Sequence, residues 1–182
     1  MKTEIQKLEL SIRRWLVFFM MGLILSGATA FDIPSGISWL NANIHYAPTQ
    51  DWLFKVDSAI SATNAKYPFL FYGYDWLAFA HIVLAVAFIG PYKKPVQNIW
   101  VIEFGMIACA MVIPAALIMG AIRHIPVWWR IVDCMFGVTG IIPLAIVWLK
   151  VQEVKLARTL FCHSIIRRAA KDVSTNYKIA EL

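Results

Sequence analysis

The sequence predicts an all-α integral membrane protein: a four-helix transmembrane bundle with an outer amphipathic lid segment and a basic amphipathic C-terminal helix. Hydrophobic residues make up 60% of the 182 positions and charged residues only 15%, whereas a soluble domain carries about 25% charged residues. Four apolar segments are long enough to cross roughly 30 Å of hydrocarbon, which takes about 20 helical residues each. Because lipid cannot satisfy free backbone groups, such segments must be helices.

The four predicted spans belong to a single transmembrane domain that covers residues 1–182, and they run over about 12–30, 69–90, 99–121 and 131–149. The connection between the second and third spans is short and carries Pro91 and Pro95, which stop the second helix. Short connections make neighbouring helices antiparallel, so an up-down order is expected. Small residues at Gly22, Ser26 and the Gly137–Gly140 stretch predict close helix contacts within the bilayer.

The basic residues predict the orientation of the chain. All 17 lysines and arginines except Lys55, Lys66, Arg123 and Arg130 fall on the side that holds both termini. The positive-inside rule therefore places both termini in the cytoplasm, most simply at a bacterial-type inner membrane. The excess positive charge lies beside the spans and not in a separate domain, so it predicts attraction to anionic lipids and no binding of nucleic acid.

Two segments outside the spans carry amphipathic patterns. Residues 31–67 form the outer segment, where apolar residues recur at helical spacing after turn signals, and we expect one or two helices that act as a lid or as an interface. The cytoplasmic tail, residues 150–182, continues the apolar stripe of the fourth span and adds a basic face that includes Arg158, Arg167 and Lys171. This tail is expected to contact lipid or a partner.

Four ionisable residues fall within or at the ends of the spans, where each needs a partner or a function. At about 1.5 Å per residue they form a vertical series, from Asp75 and Asp133 near the outer side through His81 at mid-membrane to Glu103 near the inner side. One interpretation is a proton path through His81 and Glu103, with water between them. The other is local satisfaction, with Glu103 near Lys93, Lys94 or the headgroups and His81 bonded to a carbonyl of a neighbouring helix.

The connection between the third and fourth spans is the candidate ligand-binding site. Arg123, His124 and Arg130 run against the charge bias that sets the topology, and they lie beside Asp133. Arg130 and Asp133 have the i, i+3 spacing of a helical ion pair, and Asp75 is a second candidate partner at a similar depth. The structural interpretation is an Arg–Asp network with Trp128 and Trp129 as interface anchors. The functional one is an anionic group, from a lipid, quinone or substrate, bound beneath the lid.

No metal site is predicted, because the four histidines show no metal-ligand spacing with each other, with cysteines or with carboxylates. No cofactor is predicted either, although the outer site would suit a bound lipid or quinone. The three cysteines form no paired motif.

Three functions follow as alternatives. The first is a non-catalytic subunit or partner in a larger membrane complex, which would contact membrane lipids and other subunits or a second copy of the chain. The second is a proton-linked small permease that uses the intramembrane carboxylates and His81. The third is a lipid- or quinone-binding enzyme with its site under the outer lid. The sequence carries no nucleotide-binding or hydrolase motif, so the balance leans away from an enzyme.

Overall fold

The computed structural model describes residues 2–180, with the side chains of residues 4–46, 49–164, 166 and 167. This part of the chain is helical and contains no strand. Its elements are α1 (Lys2–Phe31), α2 (Ile33–Asn43), α3 (Ala47–Lys66), a 3₁₀ helix (Pro68–Phe71), α4 (Tyr72–Ala87), α5 (Ile89–Lys93), α6 (Ile99–Ile122) and α7 (Val127–Ala180). The all-α prediction is confirmed.

Four stretches are long and apolar enough to cross a membrane, namely Glu4–Phe31, Pro68–Lys93, Ile99–Ile122 and Val127–Ser164. They agree with the four predicted spans, so the chain is an all-α membrane protein. The second stretch is interrupted, however, since α4 ends at Ala87 and α5 begins at Ile89. Pro91 accounts for the break, because its ring clashes with the carbonyl four residues earlier, which is that of Ala87.

The fourth span and the C-terminal tail form one helix. α7 runs for 54 residues from Val127 to Ala180, with Pro143 inside it. The continuation of the helical pattern beyond Leu149 is therefore confirmed as a continuous backbone helix. The side chain of Lys171, which contributes to the predicted basic face, lies outside the described residues.

The chain divides into two compact units. The first, here called the hairpin unit, combines α1 through Phe19 with the chain from Ile89 onward. Its core has fully buried side chains from α1 and α7, at Ile12, Leu16, Leu144, Val147, Val151 and Val154, together with Ile102 of α6. The buried residues recur at three- and four-residue steps along each helix, which is the spacing of one helix face.

Close contact between α6 and α7 depends on two glycines. A Cβ atom added to Gly137 would lie 2.5 Å from the backbone oxygen of Cys109, and one added to Gly140 would lie 2.7 Å from its Sγ atom. No larger residue fits at Gly137 unless the backbone shifts. The predicted role of the Gly137–Gly140 stretch in helix contact is confirmed.

The second unit, here called the lid unit, covers Met20–Phe88. Within it α2 and α3 form a helical pair held by Asp57, whose carboxylate accepts hydrogen bonds from Ser38 Oγ at 2.6 Å and Asn41 Nδ2 at 3.0 Å. Leu53 of α3 is buried. The predicted helices of the outer segment are confirmed, whereas their action as a lid stays a prediction.

Candidate functional site

The α6–α7 turn holds three of the predicted ligand-binding residues, and its backbone forms a defined helix stop. The N–H of Ile125 donates to the carbonyl of Gly120 at 2.8 Å, and the N–H of His124 donates to that of Ala121 at 3.1 Å. These two bonds make a Schellman motif, in which the residue after the C-cap adopts the left-handed conformation. That residue is His124, with φ 56°. Glycine usually takes this place because it has no Cβ atom.

Arg130 holds the turn from the α7 side. Its Nε donates to the carbonyl of Ile125 at 2.8 Å, and its side chain crosses directly over Gly120. A Cβ atom added to Gly120 would lie 2.5 Å from both Cγ and Cδ of Arg130. Because Gly120 has no side chain, Arg130 has room to pass over it and reach the turn.

The predicted ion pair between Arg130 and Asp133 is wrong. Among the described residues neither side chain takes part in a salt bridge. The physical reason is competition: the guanidinium of Arg130 is engaged by the carbonyl of Ile125, and its side chain packs over Gly120. Asp133 is half-buried, without a hydrogen bond to any described group.

Two of the polar side chains at this turn face outward. Arg123 and His124 are exposed, and Arg130 is half-buried. Trp128 and Trp129 contact each other edge to face, with ring centroids 5.3 Å apart. The structure thus brings Arg123, His124 and Arg130 to one turn, with Asp133 in the first turns of the helix that follows.

Asp75 and His81 both lie on α4 in the lid unit. Asp75 is half-buried in the first turn of the helix. The Nδ1 of His81 lies 2.8 Å from the carbonyl oxygen of Leu77, one turn back on the same helix. The expected bond to a neighbouring helix is therefore corrected to a bond within α4. Gly27 of α1 packs against this turn, since a Cβ atom there would lie 3.1 Å from Cβ of His81.

Glu103 contacts a residue that the sequence did not single out. Its Oε1 accepts a hydrogen bond from Nε1 of Trp148 at 3.0 Å, which joins α6 to α7. The expected partners Lys93 and Lys94 make no ion pair with Glu103 among the described residues. Trp148 lies 45 residues away in sequence, so no local spacing could have indicated the contact. The proposed path through Asp75, His81, Glu103 and Asp133 draws on both units and stays a prediction.

The lid unit has a cavity of about 230 Å³ where α1 meets α2. Asp32 lines it, together with Asn64 of α3 and Tyr74 of α4. The carboxylate of Asp32 accepts a hydrogen bond from the N–H of Ser35 at 3.3 Å and so caps α2. The carboxylate in this cavity is therefore used to cap a helix, and the rest of the lining includes the aromatic rings of Phe71 and Tyr74.

The described residues contain no group of three or more histidine, cysteine, aspartate or glutamate side chains that could hold a metal ion. The fold defines the class of protein, a helical membrane protein with four helices able to cross a bilayer. The chain matches no protein-family model, no curated protein and no solved structure.

Proposed function

We propose that this chain is a non-catalytic subunit or stabilising partner in a larger membrane complex. The complex would lie in a bacterial-type inner membrane, with both termini of the chain on the cytoplasmic side. One observation carries the proposal: the first span presents an open notch at Gly22. Apart from its two chain neighbours and the backbone of its own helix, no described atom lies within 4 Å of a Cβ atom placed there. The notch is a place where a helix of another subunit, or of a second copy, would approach closely.

The comparison with other glycines in the spans gives this notch its meaning. Gly27, Gly120, Gly137 and Gly140 each lie against another part of the chain. Gly22 does not, and neither does Gly73 in the first turn of α4. A glycine inside a helix destabilises it by roughly 0.5–1 kcal/mol relative to alanine, and Gly22 lies in the interior of the long helix α1. Ser26, four residues on, shares the same face and is half-buried. This small-xxx-small pair is the kind of surface that supports helix association in lipid.

Three of the polar residues in the spans support a structural role as well. Glu103 joins α6 to α7 through Trp148, and Arg130 closes the turn between the same two helices. His81 is engaged within α4. Each of these contacts positions a helix, which is what a subunit needs in order to present a fixed surface. The permease and the lipid or quinone enzyme stay alternatives raised by the sequence.

The test is the mass of the particle that the full-length protein forms in mild detergent. We expect the natural chain to purify as an assembly larger than one copy, and Gly22→Ile to reduce that assembly to single chains because the added side chain fills the notch. Light scattering on a sizing column measures the mass, and mass spectrometry identifies the subunits.

Met21→Ile is the matched control, because Met21 is exposed on the same helix but points about 100° away from Gly22. The control should leave the assembly intact. Isolation of the natural chain as a lone monomer, or an assembly unchanged by Gly22→Ile, would contradict the proposal.

A further inference from the structure

A cavity of about 230 Å³ opens in the hairpin unit beside the turn between α5 and α6. Its charged lining consists of Arg13, Lys93, Lys94 and Arg158 with a single carboxylate, Glu9. The turn residues 95–97 complete the wall. Four basic side chains and one carboxylate leave this open space with a net positive charge, which favours the binding of an anion.

Only part of this charge is neutralised within the protein. Arg158 forms an ion pair with Glu9 at 2.7 Å, so these two residues compensate each other. Arg13 lies over the ring of Tyr92, with 5.6 Å between its guanidinium carbon and the ring centroid. Among the described residues, Arg13, Lys93 and Lys94 have no carboxylate partner. Three uncompensated positive charges therefore line the cavity.

The side chains are carried on a fixed scaffold. The amide of Asn98 donates to the carbonyl of Gly90 at 3.2 Å and to that of Lys94 at 3.0 Å, which closes the turn. Arg13 follows the fully buried Ile12, and Arg158 lies one turn beyond the fully buried Val154. The backbone positions of the basic groups are thus set by the core, so little ordering of the scaffold is needed when an anion binds.

The level of the cavity identifies the kind of anion. One candidate span ends at Lys93, and the next begins at Ile99, so the turn between them lies where helices leave the hydrocarbon and enter the headgroup layer. The volume is below the roughly 300–1,000 Å³ of pockets that enclose a whole small-molecule ligand. It suits a headgroup whose acyl chains remain in the bilayer.

We propose that this cavity binds the phosphate of an anionic phospholipid headgroup through Arg13, Lys93 and Lys94. Arg158 lines the same cavity but is paired with Glu9. Basic pockets at the inner ends of transmembrane helices have the chemistry that such headgroups require. The proposal is independent of the subunit role, since it concerns a different surface of the chain.

The experiment measures lipid binding to the full-length, delipidated protein in detergent by native mass spectrometry, with phosphatidylglycerol and phosphatidylcholine as probes. We expect a clear preference for phosphatidylglycerol, and a loss of roughly 20–30-fold in its affinity when Lys93→Gln and Lys94→Gln are combined. The matched control combines Lys55→Gln and Lys66→Gln, which removes the same charge from exposed positions on α3. It should change the affinity by less than about twofold.

Glu9→Gln tests whether a more positive cavity binds phosphatidylglycerol more tightly. Removal of the carboxylate frees Arg158, so the affinity for phosphatidylglycerol should rise a fewfold while that for phosphatidylcholine stays constant. Equal losses in the cavity and control variants would mean a nonspecific charge effect and would overturn the proposal. Binding of inorganic phosphate with no preference between the two lipids would overturn the assignment to a lipid headgroup.

Discussion

The two ends of α6 close their turns in different ways. At the N-terminal end, before Ile99, a neutral amide on Asn98 holds the turn through two carbonyl groups. At the C-terminal end an arginine, Arg130, holds it through the carbonyl of Ile125. We call Asn98 the neutral clasp and Arg130 the cationic clasp. Beside the neutral clasp, Lys93 and Lys94 have no carboxylate partner among the described residues, and they line a cavity. In the cationic clasp, the positive charge of Arg130 itself holds the turn.

This difference bears on how the two turns were interpreted from the sequence. Arg123, His124 and Arg130 stand out because topology does not demand them, whereas Lys93 and Lys94 are what the positive-inside rule expects. The structure gives Arg130 a structural contact and His124 a place in the helix stop. The lysines, by contrast, share a cavity with Arg13 and Arg158. A residue that is unusual for its side of the predicted topology can therefore have a structural contact, as Arg130 does.

The largest expected effect comes from removal of the cationic clasp. Arg130→Met keeps the length of the side chain but leaves the Ile125 carbonyl without its charged donor. Hydrogen bonds to charged groups contribute about 1.5–3 kcal/mol, so the free energy of unfolding should fall by about 2 kcal/mol. Unfolding of the purified protein by denaturing detergent, followed by circular dichroism, measures the change.

Arg123→Met serves as the control for this clasp, since Arg123 is exposed in the same turn. Its effect on the free energy of unfolding should stay within about 0.5 kcal/mol, as for other exposed positions. Equal losses in the two variants would show that positive charge on this side matters in general, and that the bond from Arg130 to Ile125 has no special weight.

Removal of the neutral clasp should have a smaller effect on stability. Asn98→Ala eliminates the two hydrogen bonds to Gly90 and Lys94, and neutral bonds contribute about 0.5–1.5 kcal/mol each. We expect a loss of about 1–2 kcal/mol in the same unfolding assay, accompanied by weaker binding of phosphatidylglycerol because the lysines lose their fixed positions. Gln50→Ala, an exposed change on α3 that lies outside the cavity lining, should leave both measurements unchanged. If Asn98→Ala lowers the stability but leaves the affinity for phosphatidylglycerol unaltered, the turn does not position the lysines for lipid binding.

Much of the helix layout could be predicted because it depends on local properties. The lengths of apolar runs located all four spans, and Pro91 marked the end of the second, since a missing N–H and a ring clash act within one helical turn. The glycines at 137 and 140 likewise indicated a close helix contact.

The side-chain partners could not be predicted in the same way. Trp148 reaches Glu103 from another helix, and the pairing of Arg158 with Glu9 joins positions 149 residues apart. Spacing along one helix suggested an ion pair between Arg130 and Asp133. It carried no information about the space above Gly120, over which the side chain of Arg130 passes. Which charges remain free depends on such distant contacts, so the cavity beside Lys93 and Lys94 emerges only once α1, α5 and α7 are placed together.

The smallest expected effect concerns His124 and has the opposite sign. With φ at 56°, this residue occupies a conformation that a Cβ atom disfavours, so His124→Gly should raise the free energy of unfolding by about 0.5–1 kcal/mol. His124→Ala keeps the Cβ atom and should bring no such gain. If alanine stabilises the protein as much as glycine does, the backbone conformation is not the cause, and the imidazole itself must be unfavourable in this turn. If glycine destabilises the protein, the His124 side chain makes a favourable interaction, and the turn after α6 would return as a candidate ligand site.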